Sequence, residues 1–199
     1  MKSKTLFIST ILILNMCYYV QSQSNTEIKA LTVEANHSTL QFSIPIANGL
    51  TRVTGKFTDY NIDLKLVDND LSKSSISAII QAKSINTGIE ARDDHLRAAD
   101  FFDVELYPEI TFVSDAIIQQ GSNYRVEGVF NMHGVSKDMS FILEPKGSSG
   151  ENTLGFSIRL SLNRIDYGVG TNFKHTTMEN FLAEDIDVEI DFWTKKKKN

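Results

Sequence analysis

From residue 39 to residue 192 apolar and polar side chains alternate in short runs, the period-two pattern of strands with one dry face. Leu40, Phe42, Ile44 and Ile46 open the pattern, and Val53, Gly55 and Phe57 carry a second strand. Its phase then flips to Ile62, Leu64 and Leu66, which predicts a bulge or bend near Asp59, Tyr60 and Asn61. Further runs are Ile76 to Ala82, Ile110 and Phe112, Tyr124 to Met132, Met139 to Leu143, Leu154 to Leu162 and Ile186 to Phe192. Turn residues separate them, among them Asn48-Gly49, Asp68-Asn69-Asp70 and Gly147-Ser148-Ser149-Gly150. The connections are short, so neighbours pair antiparallel. The fold class expected is mainly β, an antiparallel barrel of about eight strands.

Two segments break the alternation. Ile89 to Ala99 reads as a short helix, with Ile89, Leu96 and Ala99 near one face. Asn163 to Asn180 is polar and contains glycine, and reads as a long loop capping one barrel end.

The first 22 residues stand apart. Lys2 and Lys4 precede an apolar run, Leu6 to Leu14, followed by Val20-Gln21-Ser22. That is the layout of a cleaved secretory leader, too short for a membrane span. It implies a periplasmic or secreted protein with a barrel over 23–194 and a basic tail, 195–199. Cys17, the only cysteine, follows Met16 rather than a small residue, so lipid anchoring is not expected. Without the leader the 20 basic residues become 18 against 25 acidic ones, and the net charge moves from −5 to −7. Such a domain offers no electrostatic footprint for nucleic acid. The basic tail is read as solvated, with transient contact to anionic headgroups left open, as is a homodimer.

Eleven of the twelve phenylalanines lie beyond the leader. The strand residues read as inward are Phe42, Ile44, Val53, Phe57, Phe112, Phe130, Phe156 and Ile158. Alternation alone leaves a solid core and a ligand tunnel equally open, because an eight-stranded barrel has room for either. Arg92 and His95, spaced i, i+3, share a helix face near the mouth. Arg92 suits a polar or phosphorylated lipid head, or else an ion-pair network with Asp93 and Asp103 that closes the barrel end. Phe101 and Phe102 plug that end, with at most one of them lining the interior, because consecutive residues in a strand point apart. His133, before Gly134, reads as a turn histidine bonded to backbone. Metal binding, cofactors and catalysis are not expected: the histidines at 37, 95, 133 and 175 lack paired spacing, and no serine sits in a nucleophile elbow.

The spaced motifs Ser84-Ile85-Asn86-Thr87-Gly88, Arg92-Asp93-Asp94-His95-Leu96-Arg97, Asp100-Phe101-Phe102-Asp103-Val104 and Tyr107 to Phe112 resemble the central signature of the YceI-like proteins. Gly128 to Ser136 extends the match, and Asn36-His37-Ser38 with Phe42 and Gly55-Lys56-Phe57 are similar to the family's opening strands. The resemblance runs from about residue 33 to 193. It implies a lipocalin-like barrel, exported to the periplasm, around a polyisoprenoid, isoprenoid quinone or fatty-acid-like chain, without a covalent cofactor. The chain departs from the family at Ile44-Pro45-Ile46-Ala47, where a histidine is usual, and residues 171–182 fit poorly. Two other functions stay open: a filled barrel serving stress response or protein interaction, and an enzyme acting on a quinone or lipid through Arg92 and His95.

Overall fold

The computed structural model describes residues 26–198, so the expected leader and Cys17 lie outside the described residues. The first two predicted strands, together with a strand at Ile28–Val33 that the alternation did not mark, form one long hairpin with both arms bent. One arm is β1 (Ile28–Val33) and β2 (Thr39–Ile46), broken by a 3-10 turn at Ala35–His37. The other is β3 (Thr51–Phe57) and β4 (Tyr60–Val67). β2 pairs with β3 and β1 with β4, all antiparallel. The corner falls at Thr58–Asp59, where Thr58 N donates to Ser84 O and Gln81 N to Asp59 O. This corner is the physical reason for the phase flip: Phe57 and Ile62 are both buried although five positions apart.

The chain continues through β5 (Asp70–Gln81), a two-residue β6 (Ile85–Asn86), α1 (Glu90–Arg97), β7 (Glu109–Gln120), β8 (Asn123–Met132), β9 (Val135–Ser149), β10 (Thr153–Asn163) and β11 (Asp185–Lys196). β4 pairs with β5, β5 with β7, each strand from β8 to β11 with its predecessor, and β11 meets β1 as well as β2. The ring β1-β4-β5-β7-β8-β9-β10-β11 therefore closes, an eight-stranded antiparallel barrel with no free edge around that ring.

The closing strand reaches into the expected tail over 195–199, whose lysines 195–198 are exposed. The strand runs through Lys196, which pairs with Leu31, and Lys197 N donates to Ala30 O. Lys195 Nζ lies 2.6 Å from the Glu34 carboxylate, and Lys197 pairs with Asp63. Lysine at alternate positions suits an outer barrel face, and acids across the seam give each of these two a partner.

The two ends of the barrel differ. At one end Leu31, Leu64, Leu66, Ile117, Val126, Leu143, Phe156 and Phe192 interlock in a solid plug. Val126 and Leu143 have no measurable exposure. A β-bulge between Ser114 and Ala116 moves the inward phase of β7 from Phe112 to Ile117 and bends the strand there. Gly128 sits opposite the bulge, where a Cβ would lie 2.2 Å from Val113 O and 2.8 Å from Phe112 Cζ. At the other end α1 and the segment between β10 and β11 lie across the opening. His133 and Gly134 make the tight β8–β9 turn, both at positive φ, and His133 Nδ1 lies 3.1 Å from Tyr167 O, tying that turn to the cap.

Two expectations follow. Gly128→Ala forces backbone to move at the bulge and is expected to cost about 2 kcal/mol or more, read as a lowered midpoint in urea. The second concerns acid. The hydrogen bond from Arg159 at 2.7 Å, helped by Ser157, holds the Asp191 carboxyl below its ordinary 3.8. Burial works to raise Asp63, but its bond from Lys197, with the Asn61 and Thr32 side chains close by, holds it low as well. Groups that bind protons more weakly folded than unfolded contribute in full above the unfolded value, and the contribution disappears as pH falls through the folded one. Stability is thus expected to fall below about pH 4, and Asp191→Asn to flatten that acid limb while costing roughly 0.2–1 kcal/mol at pH 7, the range for exposed pairs.

Candidate functional site

Above the plug the barrel is hollow. A cavity of about 350 Å³ lies between the sheet walls, α1 and the capping segment. Ile44, Val53, Phe57, Phe112, Phe130 and Ile158 border it, as does Phe42. The strands deliver these side chains because each inward position lies two residues from the next. Gly55 makes room for Phe42: a Cβ there would meet the ring at 2.5 Å. Phe42, Phe57 and Phe102 form a chain of rings at centroid distances of 5.9 and 6.0 Å along one wall.

Phe156 does not border the cavity. It is buried in the plug against Phe192, ring centroids 5.3 Å apart. Alternation identifies its face correctly and says nothing of its depth along the barrel, which the register of β10 against β11 sets. Phe101 and Phe102 depart in the opposite sense, because both border the cavity. They lie in a turn rather than a strand, with Phe101 N donating to Ala98 O and Phe102 N to Leu96 O. The rule that consecutive residues point apart does not reach them.

α1 begins and ends within two residues of expectation, and its signature residues are fixed by Thr87. Thr87 Oγ1 donates to the buried Asp93 carboxylate at 2.5 Å and accepts from Arg92 Nε at 2.7 Å. Thr87 N also donates to Asp93, and Arg92 Nη2 donates to Thr87 O. The expected ion pairing of Arg92 with Asp93 and Asp103 is therefore absent: Arg92 and Asp93 meet the two sides of one threonine instead of each other. The helix is stapled down separately by Arg97, which donates to Lys83 O and Ile85 O. Arg92 and His95 both border the cavity, as i, i+3 spacing on one face requires. His95 Nε2 lies 2.5 Å from the exposed Asp100 carboxylate, and its ring packs edge-on against Phe101 at 5.0 Å.

The cap is not a uniform loop. Its first seven residues are anchored, with Tyr167, Val169 and Gly170 buried, while 171 to 180 is mostly exposed. The anchor is Arg164, only 6% exposed. Its Nη1 donates to Val169 O and Gly170 O, both at 2.7 Å, and its Nε to Ala183 O at 2.8 Å. The return arm is stitched to β2 by Ala47 N to Phe181 O and Ala183 N to Pro45 O. Arg164 borders the cavity, and burial pushes its guanidinium below the usual range while the charge of Glu184 works the other way. Sequence reasoning missed this residue, as it missed the cap residues Phe173 and Leu182 that also border the cavity. Nothing periodic marks them; the only signal is an arginine at the start of a glycine-containing loop.

The cavity wall is otherwise aliphatic, aromatic or thioether. Among the described residues, Arg92, His95 and Arg164 are the polar side chains that border it, and no serine, threonine, cysteine or carboxylate does. Among the described residues no group of three or more His, Cys, Asp or Glu converges.

Comparison with known proteins follows the same geometry. The model of the YceI-like domain matches residues 31–193. A UPF0312 protein of Staphylococcus aureus (strain MSSA476) is 31% identical over 163 residues, covering 79% of this chain and 92% of its own. The crystal structure of BcnA from Burkholderia cenocepacia superposes with a TM-score of 0.72 at 22% identity, over 81% of this chain and 98% of BcnA. A polyisoprenoid binding domain from Saccharophagus degradans, implicated in plant cell wall breakdown, superposes at 0.68 with 16% identity, over 85% and 99%. The chain belongs to the YceI-like family.

Proposed function

We propose that this protein binds one apolar lipid chain in the upper half of the barrel and sequesters or ferries it through water. The candidates are a polyisoprenoid, an isoprenoid quinone or a fatty-acyl chain. The observation that carries this reading is the hollow itself. At about 24 cal/mol per Å³ of cavity, a space of about 350 Å³ costs on the order of 8 kcal/mol against a filled core. Domains are stable by only about 5–15 kcal/mol in all, so an interior left open at that cost needs an occupant. The volume lies within the roughly 300–1,000 Å³ of small-molecule sites. The Saccharophagus degradans domain of the same fold binds polyisoprenoid by name, which supports the same class of cargo.

The rival functions have less support. A filled-barrel interaction module does not use the hollow. For an enzyme, His95 does border the cavity, but its Nε2 is taken by the Asp100 carboxylate, and among the described residues no hydroxyl, thiol or carboxylate side chain lines the cavity beside it. We read the protein as a binder. The leader-like first 22 residues support export to the periplasm or beyond, which N-terminal sequencing of protein from the native host tests.

Organic extraction of the purified protein followed by lipid mass spectrometry is expected to release a stoichiometric long-chain lipid. Ala78 borders the cavity. Ala78→Phe is expected to fill part of it, leave the melting temperature unchanged or higher, and cut bound lipid at least tenfold. Wild-type protein that neither carries nor takes up any lipid overturns the proposal. Shortening the exposed part of the cap, 171–180, is expected to speed ligand exchange in stopped-flow displacement.

A further inference from the structure

The two ends of the barrel differ on the outside as well as within. The turns at the plug end, Asp68-Asn69, Gly121-Ser122 and Gly150-Glu151-Asn152, are short and hold no large apolar residue. Outside the strands, the exposed large apolar side chains among the described residues are Leu50, Ile89, Leu106 and Met178. Leu50 lies in the β2–β3 turn, Ile89 just before α1, Leu106 between α1 and β7, and Met178 between β10 and β11. These connections all stand at the capped end. A single exposed leucine needs no explanation, but four such side chains on separate stretches at one end form a pattern.

Their exposure is built into the backbone. Gly49 N donates to Ile46 O and Leu50 N to Ala47 O, which fixes the first turn with Leu50 85% exposed. Leu106 N and Tyr107 N both donate to Asp103 O, and the Tyr107 ring packs against His133 at 4.5 Å. Leu106, 65% exposed, therefore stands on a braced turn. An apolar path runs inward from this rim: Ile46 and Phe181, both half-buried, border the cavity. The bond from Ala47 N to Phe181 O joins their segments, close in the chain to Leu50 and Met178.

Charge narrows the partner. Glu90 follows Ile89, Glu105 precedes Leu106 and Glu179 follows Met178, so an anionic surface is repelled at this rim. The C-terminal lysines that would attract one end β11, at the plug end. Apolar tips on separate loops, interleaved with polar residues, suit a fluid apolar phase better than the continuous packed face of a protein partner.

We propose that the capped end docks on a lipid bilayer of low charge, with Leu50, Ile89, Leu106 and Met178 entering the apolar side of its headgroup layer. The inference rests on the reading of the barrel as an apolar-chain binder and names the surface where that chain enters and leaves. The mouth then opens on the phase from which the cargo comes.

Trp193 is the only tryptophan and lies near the plug end of β11, so it serves as an internal control. Wild type is expected to co-sediment with phosphatidylcholine vesicles carrying brominated chains, at low and high salt alike, with Trp193 unquenched. In a Trp193→Phe background, Leu50→Trp is expected to be quenched about twofold by the same vesicles. Leu50→Ser with Leu106→Ser is expected to weaken vesicle binding about fivefold or more and leave the melting temperature unchanged. Val113→Ser with Val129→Ser, also exposed but on the sheet face, is expected to leave binding unchanged. Equal losses in the two pairs overturn the inference. So does salt-sensitive binding confined to anionic phosphatidylglycerol vesicles with Trp193 quenched, which assigns the contact to the C-terminal lysines. If wild type binds no vesicle yet releases lipid on extraction, this inference falls and the apolar-chain reading stands. If it does neither, both fall.

Discussion

The width of an eight-stranded barrel governs everything else in this protein. Such a ring leaves space for inward side chains or for one slender ligand, and not for both at the same height. This chain divides the two along the axis. Where inward positions carry Leu64, Leu66, Leu143, Phe156 and Phe192, they meet and fill the ring. Where they carry Ala78, Val53, Ile80 and Ile186, with phenylalanine rings laid against the wall, they do not. The plug gives the barrel a close-packed foundation, and the hollow depends on it, since ring closure at β1 and β11 runs past the plug end.

The cap solves a different problem. An open barrel end exposes apolar wall to water, and a helix of eight residues is too short to hold itself in place. Tertiary bonds hold it instead. Thr87 orients Arg92 and Asp93, Arg97 grips the carbonyls of Lys83 and Ile85, and Arg164 gathers four carbonyls of the facing segment. Buried backbone carbonyls in an irregular segment need donors, and one guanidinium supplies several from a single position.

Much of this was legible in the chain. Alternation marked seven of the eight ring strands and missed β1 (Ile28–Val33), the phase flip at Asp59 marked the corner, and the broken pattern at Ile89 marked the helix. What alternation cannot carry is position along the barrel axis, and that is where Phe156 was misplaced, since its inward face is shared by plug and hollow alike. Nor does it apply outside strands. The Phe101-Phe102 pair is set by turn hydrogen bonds, so both rings reach the cavity. Arg164 lay beyond reach for a related reason: its partners are backbone carbonyls of residues 169 to 183, and a carbonyl leaves no trace in the sequence. The lysines at the C-terminus looked like a tail because their partners, Glu34 and Asp63, lie far away in the chain.

The hollow is small enough that the two ends of its occupant have different jobs. At about 30 Å³ for a water-sized group, 350 Å³ takes on the order of a dozen methylenes inside the wall. Burying them yields roughly 0.8 kcal/mol each, about 10 kcal/mol gross, while association alone costs an estimated 4–15 kcal/mol. Chain burial by itself then leaves a thin surplus, and it is indifferent to which chain is bound, because one aliphatic segment resembles another. Discrimination must come from the few polar groups. Of the three, Arg164 lies almost wholly out of water, where screening by salt is weak, while Arg92 is half-buried and His95 exposed. The wall treats one aliphatic chain much like another, and these three side chains are where it differs.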